Sequence, residues 1–180
     1  MSDHFTELDL ARAAWIEAEE VKSQHHRLMT ECHADKSTGD GDRATRLNEA
    51  RRVLENPASR LRHLLELEFP NFESTQKPEP DWDLFSRTGA AAKRATQAAA
   101  TLNSATSPLA RAVASIQAAE TRKNLLALQD ELTHKAAHLK EKTRSIPLAE
   151  PQALSDLAEE WTYLNRWKSV IHEALSALGI

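Results

Sequence analysis

Residues 21–57 read VKSQHHRLMTECHADKSTGDGDRATRLNEARRVLENP, and their periodicity decides the fold. Val21, His25, Leu28 and Cys32 recur at steps of four, three and four residues, which puts them on one face of a helix. Leu47, Ala50 and Leu54 resume the pattern after a polar loop that holds Gly39 and Gly41, and Asn56-Pro57 stops this second helix. Two helices joined by a short polar loop form an antiparallel helical hairpin, with His33-Ala34-Asp35 at its tip.

Outward from the hairpin, Phe5, Leu8 and Leu10 make a short apolar element before it, and Ala58, Leu61, Leu64 and Leu65 give a third helix an inward face. The stretch FPNFESTQKPEP (69–80) is polar and rich in proline, and it reads as a linker. Beyond it, Pro108, Pro147 and Pro151 separate three long segments rich in Ala, Leu, Lys, Glu and Gln, the strong helix formers. No run of β-branched or aromatic residues alternates with period two. The fold class expected is all-α: a helical hairpin over residues 1–68, a linker over 69–80, and a three-helix bundle of long helices over 81–180.

In the last segment Leu154, Leu157, Trp161, Leu164, Ile171, Leu175 and Leu178 follow three- and four-residue steps, with one position skipped at Lys168. Such a seam packs on partner helices in the manner of a coiled coil. Tyr163 and Trp167 fall beside it, four residues apart, and are expected either as an exposed aromatic pair or as a widened core. The alanine-rich run 90–100 suggests close helix packing or pairing with a second chain, so a homodimer is among the expectations.

Composition narrows the function. With 41% hydrophobic and 28% charged residues the chain is expected to fold, and a net charge of −4 gives no cationic field for nucleic acid or an anionic membrane. No stretch approaches the length of a membrane span, and the acidic start MSDHFTELDL lacks the pattern of an export signal. The single cysteine, Cys32, allows no intramolecular disulfide, which fits a reducing, cytoplasmic setting.

His25, His26, Cys32 and His33 are metal-ligand types, but His25 and Cys32 stand two turns apart, roughly 10 Å along the axis, too far to share one ion unaided. A packed histidine and cysteine are expected there, with no metal and no cofactor. No base and orienting carboxylate are placed beside Cys32, and Gly39 and Gly41 lie among aspartates that would repel phosphate. An enzyme is not expected.

Four motifs together resemble a J-domain. They are D-x-F-x-x-L-x-L at Asp3 to Leu10, a helix ending in H-x-D-K at His33 to Lys36, L-N-E-A-x-x-V-L-x-x-P at Leu47 to Pro57, and R-x-x-x-L-L-x-L at Arg60 to Leu67. The spacing from Phe5 to His33 resembles in particular the HscB type, a co-chaperone of iron–sulfur cluster assembly. Glu159 to Leu175, EEWTYLNRWKSVIHEAL, resembles the last helix of that family's C-terminal bundle.

The resemblance implies a function. A J-domain docks its second helix and His-Pro-Asp loop on a DnaK/HscA-type (heat-shock 70 kDa) chaperone and stimulates ATP hydrolysis, and the HscB bundle holds the scaffold protein on which the cluster is built. Carried over, His33, Ala34, Asp35 and Lys36 would form the docking loop, and Lys22 and Arg27 the basic helix face. Leu84, Phe85, Tyr163 and Trp167 would meet the client. The chain departs from the family at Ala34, where proline is expected, and at Gly89 and its following alanines, where the family has bulky and acidic residues. Alanine frees φ and lets the preceding helix run on, so stimulation of the chaperone and an adaptor role without it are both expectations.

Overall fold

The computed structural model describes residues 2–34 and 40–179, with the side chains of residues 33, 34 and 40 left out. Among the described residues there are seven helices and no strand: α1 (His4–Glu7), α2 (Ala18–Ala34), α3 (Asp40–Glu55), α4 (Pro57–Glu68), α5 (Trp82–Ser104), α6 (Pro108–Ser145) and α7 (Pro151–Ala177). The protein is all-α. None of these helices is long and apolar enough to cross a membrane.

The chain divides into two compact units. The N-terminal unit comprises Met1–Lys77 together with Leu139–Trp161, and the C-terminal unit comprises Pro78–His138 together with Thr162–Ile180.

In the N-terminal unit α2 packs on α3, and α3 on α1 and α4. The faces read from the sequence are the buried ones: Val21, His25, Leu28 and Cys32 on α2, Leu47, Ala50 and Leu54 on α3, and Ala58, Leu61, Leu64 and Leu65 on α4. Asp3 starts α1 by accepting from the backbone N–H groups of Phe5 (3.0 Å) and Thr6 (3.3 Å), which would otherwise go unpaired. Asn56 does the same for α4 through the Ala58 N–H (3.0 Å), and Pro57 stands at the first helical position, where its missing N–H costs nothing.

Residues 10–17 form no helix, so their carbonyl groups need donors from elsewhere. Arg60, 1% exposed, supplies two of them: Nε donates to the Ala14 carbonyl (3.0 Å) and Nη1 to that of Ile16 (3.3 Å), while Nη1 also reaches the Leu54 carbonyl at the end of α3 (2.7 Å). Burial lowers its pKa to about 10, which leaves it charged at neutral pH. The guanidinium also lies 5.1 Å from the centre of the Trp15 ring.

Trp15 explains why a stretch late in the chain joins this unit. Its ring stacks on Trp161 at 5.8 Å, and Lys140 sits 5.3 Å above it. Glu17 accepts from Trp15 Nε1 (2.9 Å), Lys140 (3.2 Å) and Arg144. Trp161 in turn donates to the buried Thr143 hydroxyl (2.9 Å).

The C-terminal unit is built on small residues. Leu84, Thr88, Ala91, Ala95 and Ala98 are the buried positions of α5, at alternating steps of four and three. Asp81 caps this helix by accepting from the Leu84 N–H (3.1 Å). Within the unit the buried side chains of α6 include Ala114, Leu125, Leu128 and Leu132, and those of α7 include Leu164, Trp167, Ile171, Ala174 and Leu175.

Of the two expectations for the aromatics beside the seam, Trp167 takes the widened core: it is 4% exposed and not half of an exposed pair. The seam runs Leu164, Trp167, Ile171, in steps of three and four, and Trp167 fills the turn that had been assigned to Lys168, which is exposed.

Candidate functional site

Two surfaces hold the residues expected to act, one in each unit. In the N-terminal unit, α2 is helical through His33 and Ala34, the last described residues before position 40. Helix through this position is what alanine permits and proline opposes. Asp35 and Lys36 lie outside the described residues.

Lys22 and Arg27 are exposed on α2, five residues and so about 140° apart around the helix. Both are engaged by the chain's own acids. Lys22 pairs with Glu19 (2.9 Å), and Arg27 pairs with Asp9 (2.6 Å) and Glu31 (2.7 Å). The bond to Asp9, and then that to Glu31, raises the arginine pKa above its usual value. Asp9 has a positive φ of 52°, a conformation aspartate tolerates better than most residues.

Two of the ligand-type residues of α2, His25 and Cys32, are packed into the unit. His25 is buried and its Nε2 donates to Asn48 Oδ1 (2.9 Å), tying α2 to α3, while Cys32 is buried. Among the described residues no group of three His, Cys, Asp or Glu side chains stands ready to hold a metal ion.

In the C-terminal unit the expected client residues part company. Leu84 is 1% exposed and belongs to the α5 core, whereas its neighbour Phe85 is 49% exposed. Phe85 has a partner that sequence reasoning passed over: Trp82, 61% exposed, meets it edge to face at 5.8 Å. The available signal was the position of Trp82, first in a helix capped by Asp81 and one turn before Phe85 and Ser86 on the same side. Tyr163 is partly buried and stacks on Trp167 at 6.2 Å with 21° between the rings.

Between α5 and α7 lies a cavity of about 240 Å³, lined by Phe85, Gly89, Ala90, Arg166, Trp167 and Val170 among others. Gly89 leaves it open, for a Cβ built there meets no atom within 4 Å. The surface thus combines an exposed aromatic pair with an adjoining apolar hollow, the form of a site that receives side chains of another protein.

The fold is HscB-like. The chain superposes on the chaperone HscB from Vibrio cholerae with a TM-score of 0.65 and 16% sequence identity, over 98% of this chain and 99% of that one. No family model matches the sequence, and no curated protein matches it. At this identity the likeness is one of fold, and the residues at the two surfaces are this chain's own.

Proposed function

We propose that the protein is an HscB-like co-chaperone: the N-terminal unit docks on a DnaK/HscA-type chaperone through α2 and the His33-Ala34-Asp35 tip, and the C-terminal unit holds a client. The observation that carries this reading is an HscB-like fold extending over nearly the whole chain. Asp35 offers a carboxylate for a charge-assisted contact with an arginine of the chaperone. Phe85 with Trp82, Tyr163 and the hollow beside Trp167 form the client side, and an iron–sulfur scaffold protein is the client class the resemblance points to. The domain limits that go with this reading are residues 1–68 and 81–180, joined by 69–80. The protein itself hydrolyses nothing and acts in the cytoplasm.

A second reading, an adaptor that binds chaperone or client without stimulating hydrolysis, is favoured by two observations. Ala34 is helical, and Lys22 and Arg27 are already paired with acids of the same chain. The first reading keeps its ground because freedom at Ala34 in place of proline costs only about 0.5–1 kcal/mol of preorganisation, which slows stimulation several-fold without removing it.

Single-turnover ATP hydrolysis by the cognate chaperone separates the two. Stimulation by the native chain that is lost in Asp35→Asn supports the co-chaperone. Stimulation that appears only in Ala34→Pro supports the silent adaptor, and none in either variant rejects docking through the tip.

A further inference from the structure

The acids and bases of the C-terminal unit are not evenly satisfied. Arg87 pairs with Asp83 (3.2 Å) and with Glu131, and Lys135 pairs with Asp81 (2.7 Å). Arg166, at the rim of the cavity, forms no ion pair among the described residues, and neither does Lys93, one helical turn beyond Gly89 on the same face of α5. Both are exposed. No carboxylate lines the cavity. The nearest acid on the α7 side in sequence, Glu173, accepts instead from the Ser169 hydroxyl (2.9 Å). An apolar hollow therefore has the unpaired Arg166 at its edge and the unpaired Lys93 one turn further along α5.

We infer that this cavity receives one large apolar side chain from an acidic segment of a partner protein. Its volume of about 240 Å³ lies below the roughly 300–1,000 Å³ usual for small-molecule sites but accommodates a single leucine or aromatic side chain. Trp167 and Val170 give that side chain apolar walls, Gly89 admits it without a Cβ in the way, and Phe85 with Trp82 extends the contact outward. Carboxylates flanking the anchor would meet Arg166 and Lys93, which steers the encounter and selects against basic segments. The inference rests on the reading that the C-terminal unit holds a client, and it adds the client's chemistry.

The test uses the full chain and fluorescein-labelled helical peptides with a leucine anchor flanked by glutamates, by lysines or by serines, followed by fluorescence anisotropy. The glutamate peptide is expected to bind about fivefold tighter than the serine peptide at low salt, an advantage that shrinks as salt rises. The lysine peptide should bind weakest. Gly89→Leu stands in the mouth of the cavity while improving helix propensity, so it should weaken the glutamate peptide by about tenfold or more with helicity retained by circular dichroism. Arg166→Glu should reverse the charge preference.

Equal or stronger binding of the lysine peptide, or glutamate-peptide binding untouched by Gly89→Leu, overturns the inference. A dimer in sedimentation that Gly89→Leu dissolves also overturns it, because the occupant would then be a second copy of the chain. Chaperone stimulation by the native protein, run alongside, keeps the two ideas apart. Stimulation without the charge preference leaves the co-chaperone and removes this inference. The charge preference without stimulation leaves the acidic client and removes the co-chaperone.

Discussion

In the N-terminal unit a non-helical stretch, residues 10–17, is fastened by the guanidinium of one buried arginine, whereas in the C-terminal unit the buried face of α5 is a leucine, three alanines and a threonine whose hydroxyl bonds only to its own preceding turn. The first arrangement concentrates its dependence in one side chain whose partners are carbonyl groups 6, 44 and 46 residues away. The second spreads it over many small apolar contacts. The two units should therefore fail in opposite ways, one when a group is removed and the other when a group is added.

The largest effect should come from Arg60. Arg60→Ala leaves the carbonyls of Ala14, Ile16 and Leu54 without their donor, and the loss should be about 3–5 kcal/mol in denaturant unfolding. Arg60→Lys keeps a charge but not the forked geometry, so it should recover less than half. A loss below 1 kcal/mol in Arg60→Ala would mean that apolar packing alone seats residues 10–17, and the contrast between the units would dissolve.

The converse change belongs to α5. Ala95 is fully buried, and Ala95→Leu inserts three carbons where there is no room, which should cost about 1–3 kcal/mol. The check is again denaturant unfolding, followed by circular dichroism. Adding a methyl at an exposed position of the same helix should do the reverse. Gly89→Ala meets nothing within 4 Å and should stabilise by about 0.5–1 kcal/mol, because glycine gives up more backbone freedom in a helix. The thermal midpoint should rise, and a fall would show that the cavity wall does not tolerate even one carbon.

Much of the fold was legible because its information is local. The faces of α2, α3 and α4 and the cap at Asn56-Pro57 lie within windows where periodicity and turn chemistry speak directly. Arg60 was legible as part of a motif, but its role was not, since nothing near it in sequence announces that Ala14 and Ile16 lack helical partners. The seam of α7 was legible except at one turn, where a strict alternation of steps chose Lys168 and the real helix chose Trp167. Of the candidate sites, Phe85 was found and Trp82 missed. The hollow at Gly89 was beyond reach, because a cavity is a property of two helices and the sequence presents its two walls about 80 residues apart. The membership of Leu139–Trp161 in the N-terminal unit was equally hidden, since it depends on Trp15 and Glu17 finding partners more than 120 residues away.

That last attachment can be probed through pH, with the smallest effect of the set. The Glu17 carboxylate accepts from Trp15, Arg144 and Lys140, and these bonds, Trp15's foremost, bring its pKa from 4.5 down to about 2. In the unfolded chain the group binds its proton near pH 4.5, whereas in the folded chain it stays ionised until about pH 2. Its contribution to stability is therefore complete above pH 4.5 and is lost as pH falls from there toward 2. The side chain is about half exposed, so water and salt weaken the bonds and the effect stays well below that of Arg60. Glu17→Gln should lower the thermal midpoint slightly at neutral pH and flatten its decline between pH 4.5 and 2, most visibly at low salt. An unchanged decline would assign the attachment to the stacking of Trp15 on Trp161, and the N-terminal unit would then rest on buried contacts at both of its long-range joints.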